Sequence, residues 1–331
     1  MLIMKTHTAT KPAASFVEGV LVFIVMVKEN PDFQEQCQDR LQPTKVQTET
    51  MSSPPENSPR IGLALGAGGA KGLAHIPMLE VLDELGVKPY RISGSSFGAI
   101  IGALYASGLS GREIREFIGG LLISENEKWP EALFRKDILK WIDFIDPEIG
   151  KGGLIGSDSF IHYLYKALNS TRLEDLPVPL KIVAADLWKR EQVVLESGDL
   201  PSAIKASMAL PGLFSPVPLN GRLLVDGGTI NPVPYDLLLD ECDIVIAIDV
   251  MGSCSKTASM TPSFFDTIFN SIHVLQQAIV HEKLERHRPH IYIKPDIIDV
   301  RVLEFFEAES IYRQAEPAKE QLRRELIALL G

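Results

Sequence analysis

The stretch that decides the fold is residues 61–98, IGLALGAGGAKGLAHIPMLEVLDELGVKPYRISGSSFG. It opens on a short apolar run, 61–65, that stops at a glycine, as a buried parallel strand does. Behind the turn GAGGAKG (66–72), Leu73, Ile76, Leu79, Leu82 and Leu85 recur at helical spacing, and Gly86 stands where a helix ends in a left-handed residue. Pro77 falls in or near the first turn of that helix, where its missing amide costs little. A second strand over 90–93 leads into GSSFG (94–98), which places Ser96 28 residues after Gly68. One strand, one turn, one helix and a second strand fit that interval, so both glycine turns emerge at the same edge of a parallel sheet.

Beyond this unit, residues 99–107 (AIIGALYAS) are small and apolar all round, and a helix with no polar face must be buried. Further strands are predicted at 180–185, 192–195, 223–225, 244–250 and 290–293. Helices are predicted over 263–284, where Phe265, Ile268, Ile272, Leu275 and Ile279 share a face, and over 302–330. Strands alternating with helices imply an α/β layered domain.

Composition narrows the function. The formal net charge is −10, and the densest basic stretch, 283–288, is diluted by Glu285, so nucleic acid is not an expected partner. Cys37, Cys242 and Cys254 are widely spaced and form no CxxC pair, which disfavours a disulfide framework and a zinc site. No metal or cofactor is expected, and a reducing compartment is preferred. Residues 16–27 (FVEGVLVFIVMV), with Lys5 and Lys11 upstream, have the apolar character of a signal or anchor segment. They include Glu18, lack a small-x-small cleavage site before Lys28, and fall short of the roughly 20 residues a membrane-spanning helix needs. Residues 29–60 are polar and carry Pro43, Pro54, Pro55 and Pro59, as a linker does. The expected organisation is an extension over 1–58, a catalytic domain over 59–250, and a helical extension with one strand over 251–331 packed on it. The expected location is the cytoplasm or the membrane periphery.

In GSSFG, centring the GxSxG frame gives Ser96 with Gly94 and Gly98 on either side, whereas centring on Ser95 would flank the turn with Ser93 and Phe97. Ser96 is therefore the candidate nucleophile, exposed on a strained turn with a helix N-terminus aimed at it. On the pentapeptide alone, a glycine-rich turn entering a helix stays open as a reading. GAGGAKG fails both phosphate-binding registers. A dinucleotide fingerprint started at Gly66 meets Lys71 at its third glycine position, and Lys71 lacks the Gly before and Ser/Thr after it that a P-loop requires. What remains is a turn of bare amides, the material of an oxyanion hole, with Gly68, Gly69 and Ala70 as donors and Gly66, Lys71 and Gly72 in support. None of His75, His162, His273, His281, His287 and His290 sits in a glycine- or aspartate-flanked turn near a strand end. Asp226 does. It closes the apolar run 223–225 and opens Asp226-Gly227-Gly228, a turn that holds a carboxylate at a sheet edge with little bulk around it. A hairpin turn is the alternative for this Asp-Gly, and Asp186 and Asp249 also follow apolar strands.

Four segments, in this order and spacing, carry a family resemblance: GAGGAKG before a helix, GSSFGA as an elbow, ASMALPGLFSPVP over 206–218, and DGGTINPVP from Asp226. Over residues 60–250 the chain resembles the patatin-like phospholipases, in particular compact bacterial members. The resemblance implies a three-layer α/β fold, a central mostly parallel sheet flanked by helices. It implies a Ser/Asp dyad without histidine on Ser96 and Asp226, an oxyanion hole on the glycine loop, and a lipid or acyl-ester substrate such as phospholipid or lysophospholipid, with contact at the membrane periphery. One departure is that a GxGxxG window closing on Gly72 would begin at Ala67.

In the implied mechanism Asp226 accepts the Ser96 proton, the serine attacks an ester carbonyl, and water releases the acyl-enzyme. An aspartate with an ordinary pKa of about 3.9 is a weak base, so partial desolvation should raise it. Two other readings stand beside this one: an α/β-hydrolase using Ser96, an acid and a late histidine such as His290, and a lipid-sensing protein on the same fold. Residues 119–146 mix Trp129, Phe134, Ile138, Trp141, Ile142 and Ile145 with charged residues, which suits a lipid-touching lid or a helix packed on its own core. Lys71 is expected as a solvated side chain or a neighbour of a substrate phosphate.

Overall fold

The computed structural model describes residues 59–121, 168, 170–253 and 264–330. The apolar run 16–27 and the lid candidate beyond Leu121 lie outside the described residues. The strands are β1 (Ile61–Leu65), β2 (Arg91–Ser95), β3 (Leu180–Asp186), β4 (Glu191–Leu195), β5 (Val217–Leu219), β6 (Arg222–Asp226), β7 (Ile244–Ile248) and β8 (Ile291–Ile293). The helices are α1 (His75–Glu84), α2 (Phe97–Ala106), α3 (Gly111–Leu121), α4 (Leu200–Ser207), α5 (Phe264–Arg286) and α6 (Ala308–Leu330). All eight strands join one sheet. Strands β3, β2, β1, β7 and β8 lie side by side and parallel, while β4 and β6 run antiparallel to β3 and β5 antiparallel to β6.

The central strands are buried on both faces, which is why β1 and β7 read as unbroken apolar runs. Their side chains alternate between two cores. Leu63, Leu65, Ile246 and Ile248 pack into the larger one with α1, α2, α3 and α6, and Ala64, Val245 and Ala247 face Val233, Tyr235 and Val280 of the opposite layer. The architecture is therefore α/β, a mostly parallel sheet between helical layers. Among the described residues no helix is long and apolar enough to cross a membrane.

One register explains how the site forms. Leu180, Lys181, Ile182 and Val183 pair with β2, Ala184, Ala185 and Asp186 pair with β6, and β4 occupies the other edge of the strand. Strands β2 and β6 thus meet head-on along one edge of β3. Their last residues, Ser95 opposite Val183 and Asp226 opposite Ala184, become neighbours despite their distance in sequence.

The structure departs from expectation in four places. β5, α3 and α4 are additional to the expected elements; α4 is only eight residues long and begins where Asp199 caps the Ser202 amide at 2.9 Å. The last helix begins at Ala308 rather than 302, because 302–305 turn inward and the Val302 carbonyl accepts the Ala70 amide at 2.8 Å. On α5 the buried face is Phe269, Gln276 and Val280, whereas Leu275, expected on the buried stripe, is 64% exposed. Lys71 is buried rather than solvated, with its stem against Gly252.

Candidate active site

Ser96 sits between β2 and α2 with φ 54° and ψ −125°. A left-handed φ at a residue with a side chain costs about 1–3 kcal/mol and persists only where the surroundings over-determine it. Here they do. The Ser96 amide donates to Ser207 Oγ at 2.9 Å, and Ser96 Oγ donates to Asp226 Oδ2 at 2.6 Å. The turn is as tight as its glycines permit: a Cβ on Gly98 would lie 2.2 Å from the Leu65 carbonyl oxygen, and one on Gly94 2.7 Å from Ala99 Cα. Elbow and first strand thus touch backbone to backbone, and the N-terminus of α2 points its partial positive charge at the serine.

Asp226 is 2% exposed. Its second oxygen, Oδ1, accepts the Gly228 amide at 2.7 Å, so both carboxylate oxygens are engaged. Burial pushes this carboxyl up to about 6, against the opposing pull of the hydrogen bonds from Ser96 and Gly228. A carboxylate so placed is a stronger base than one in water and is still ionised at neutral pH. Gln276 of α5 secures the turn from the other side, donating to the Gly228 carbonyl at 3.1 Å.

Ser96 and Asp226 lie on the wall of a cleft that is open to solvent. Its walls are apolar, with Phe97, Leu213, Phe214, Phe269 and Phe305 among them. Gly68 and Gly69 line the same cleft. Gly69 has φ 56°, and a Cβ there would meet the Val302 carbonyl oxygen at 2.4 Å, so the loop conformation requires glycine. The expected donor set needs one correction: the Ala70 amide is already taken by Val302, which leaves Gly68 and Gly69 as the loop amides on the cleft.

The histidines divide clearly. His75 is buried and donates Nε2–H to the Gly66 carbonyl at 2.8 Å, with burial pushing it down to about 4. It braces the glycine loop. His290, the late histidine considered for a triad, accepts the Val245 amide on Nδ1 at 3.0 Å near the start of β7, at the opposite end of the sheet from Ser96. That removes it as a partner for the serine. His273 lines the cleft, and burial together with Lys71 and Lys294 pushes it down to about 4, so it is neutral near pH 6. The other two aspartates serve turns: Asp186 accepts the Trp188 and Lys189 amides, and Asp249 accepts the Met251 amide and the Tyr292 hydroxyl.

Sequence reasoning brought together Ser96, Asp226, Gly68 and Gly69 and missed three supports. Ser207 lies in the 206–218 segment, but nothing in its spacing singles out its hydroxyl. Gln276 and Lys283 stand seven residues apart on α5, a polar pair on one helix face, and that periodicity is a readable signal. Val302, Leu303 and Phe305 enter the cleft from a turn that reads as helix.

Comparison with known proteins places the chain. The patatin-like phospholipase family model matches residues 63–239. An uncharacterized NTE family protein of Mycobacterium tuberculosis is 34% identical over 198 residues, covering 60% of this chain and 51% of that protein. Patatin-like phospholipase domain-containing protein 6 of Homo sapiens is 32% identical over 200 residues, 60% of this chain and 14% of that protein. The chain thus spans about half the length of the mycobacterial relative and far less of the human one. Among solved structures, VipD from Legionella pneumophila aligns with a TM-score of 0.45 and 17% identity, over 82% of this chain and 67% of that one. By the family model, which matches more than half of its residues, the chain belongs to the patatin-like phospholipase family.

Proposed function

We propose that the protein is a serine acyl hydrolase that cleaves carboxylic esters of lipids, phospholipid or lysophospholipid, through a Ser96/Asp226 dyad and an acyl-enzyme. One observation carries the reading: a serine held in a strained turn donates a 2.6 Å hydrogen bond to a buried aspartate on the wall of an apolar cleft. Asp226 accepts the hydroxyl proton as Ser96 Oγ attacks the ester carbonyl. The Gly68 and Gly69 amides receive the oxyanion, assisted by the N-terminus of α2. The alkoxide leaves with the proton from Asp226. Water then attacks the acyl-enzyme with Asp226 again as base, regenerating the serine. The phenylalanine-rich walls suit an acyl chain, and the name of a Candida glabrata relative, a lysophospholipase 27% identical over 286 residues, points to the same class of ester.

The test combines labelling and turnover. Wild type should react covalently with a fluorophosphonate probe and hydrolyse p-nitrophenyl esters and phospholipid, with products read by mass; Ser96→Ala should do neither. Turnover retained in Ser96→Ala, or a probe adduct elsewhere, would overturn the assignment.

A further inference from the structure

The turn between β3 and β4 takes no part in the cleft, yet it stands at the same end of the sheet. Strand β2 ends level with Val183, and β3 continues through Ala184, Ala185 and Asp186. At about 3.3 Å per residue the turn begins about 10 Å beyond the level of the elbow, measured along the strands. It consists of Leu187, Trp188, Lys189 and Arg190, all exposed. Trp188 is 76% exposed, the highest value for a large apolar side chain among the described residues.

The turn is rigid. Asp186 Oδ1 accepts the Trp188 and Lys189 amides at 3.1 and 2.9 Å, and its carbonyl accepts the Arg190 amide at 2.9 Å. The acidic neighbours are already paired, since Arg222 bridges Asp186 and Glu191. Lys189 and Arg190 have no ion-pair partner among the described residues. An indole held out in water by a hydrogen-bonded turn, beside two cations without an ion-pair partner among the described residues, is the chemistry of an interfacial anchor. The ring settles at the headgroup level of a bilayer, and the cations settle on anionic lipids. On a chain of net charge −10 a general attraction to an anionic surface is excluded, so contact has to be made by a local basic element of this kind. Val274 and Leu275, 65% and 64% exposed, follow the cleft-lining His273 on α5 and add apolar surface next to the cleft.

We infer that the β3–β4 turn docks the protein on an anionic bilayer, with Trp188 at the headgroup–acyl boundary and Lys189 and Arg190 on lipid phosphates, so that the cleft faces the membrane. The choice of a bilayer over an acidic protein rests on the proposed lipid-ester function.

Flotation of the full chain tests this, using vesicles of phosphatidylcholine and phosphatidylserine in equal parts beside vesicles of phosphatidylcholine alone, with turnover of a soluble short-chain ester measured in parallel. Wild type should float with the mixed vesicles and lose this at high salt. Trp188→Ala should partition about tenfold more weakly, the order expected for withdrawing one aromatic side chain. K189Q with R190N, the asparagine chosen because Arg190 has φ 58°, should lose about twentyfold on mixed vesicles and nothing on neutral ones. Soluble-ester turnover should be unchanged in both variants, which also shows that they fold. Wild type that stays unbound, variants that float at the wild-type level, or binding to soluble polyglutamate without binding to vesicles would overturn the docking surface. Flotation lost in Trp188→Ala while no variant or wild type turns over any ester would instead overturn the hydrolase reading alone.

Discussion

Replacing Asp226 with asparagine should abolish turnover and, at neutral pH, make the protein more stable. Burial holds this carboxyl at about 6 in the folded protein against an ordinary value of 3.8. The folded state therefore binds the proton more tightly than the unfolded chain does. The stability this contributes is complete below about pH 3.8 and is lost as pH rises through 6. A gap of about two pH units at about 1.36 kcal/mol each amounts to roughly 3 kcal/mol of destabilisation carried by the charged aspartate at pH 8. Asparagine keeps the shape, can accept the Gly228 amide and can donate to Ser96 Oγ, but carries no charge. Urea denaturation at pH 8 should show Asp226→Asn more stable by about 3 kcal/mol, or about 6–12 °C in Tm for a domain of this size, with the advantage shrinking below about 1 kcal/mol at pH 4. An Asp226→Asn variant no more stable than wild type at pH 8, or one whose advantage does not change with pH, would refute the reasoning. The same carboxylate should set the acid limb of kcat/KM near pH 6, and His273→Gln should leave that limb in place, because His273 is already neutral there.

Three further substitutions probe the scaffold around Ser96 and Asp226. Gly69→Ala places a methyl group 2.4 Å from the Val302 carbonyl oxygen at a left-handed φ, so the loop must shift; kcat should fall by about 10²–10³, the loss expected for one oxyanion donor, with KM on a soluble ester little changed. Ser207→Ala removes the acceptor of the Ser96 amide and should destabilise by about 1–3 kcal/mol while lowering kcat about tenfold, with Ser207→Thr restoring part of both; equal kcat in the alanine variant would show that the elbow holds itself. Lys283→Met removes an ammonium that donates to Asn231 Oδ1 at 2.6 Å and to the Val233 carbonyl at 2.7 Å, and should lower kcat, destabilise by about 1–3 kcal/mol by urea titration, and broaden amide exchange over 227–236.

The glycine turns were legible because backbone geometry restricts which residues can stand there. Gly94 and Gly98 are dictated by contacts with the following helix and the first strand, and the same contacts centre the frame on Ser96. Asp226 was legible as a carboxylate at a strand end, but so were Asp186 and Asp249. What separates the three is register: only β6 runs head-on toward β2 along β3, and strand pairing between segments 130 residues apart leaves no local trace. The rotation of α5 departs from its apolar pattern for a related reason. The stripe through Leu275 is the more apolar one, yet Gln276 and Lys283 find acceptors on the turn after Asp226, and those buried polar contacts turn the helix about its axis. A pattern of apolar residues cannot register a polar side chain whose partner lies elsewhere in the chain.

The site carries two unfavourable features, the left-handed Ser96 and the buried charge on Asp226. Taken at about 1–3 and about 3 kcal/mol, they amount to a large share of the 5–15 kcal/mol by which a domain is usually stable. Neither can persist unless neighbouring groups hold it. Ser207 holds the first through the Ser96 amide. The second is held from beyond the segment that the family model matches. Gln276 bonds the Gly228 carbonyl, and Lys283 fixes Asn231 and Val233. On the glycine loop, the Val302 carbonyl holds the Ala70 amide while the Pro232 carbonyl holds that of Ala67, so the turn that follows Asp226 also braces the loop that faces it. β8 completes the parallel sheet beside β7. Residues after 250 therefore belong to the structure that keeps Asp226, Ser96 and the glycine loop in register, and the strain at Ser96 is sustained by contacts that reach beyond the matched segment.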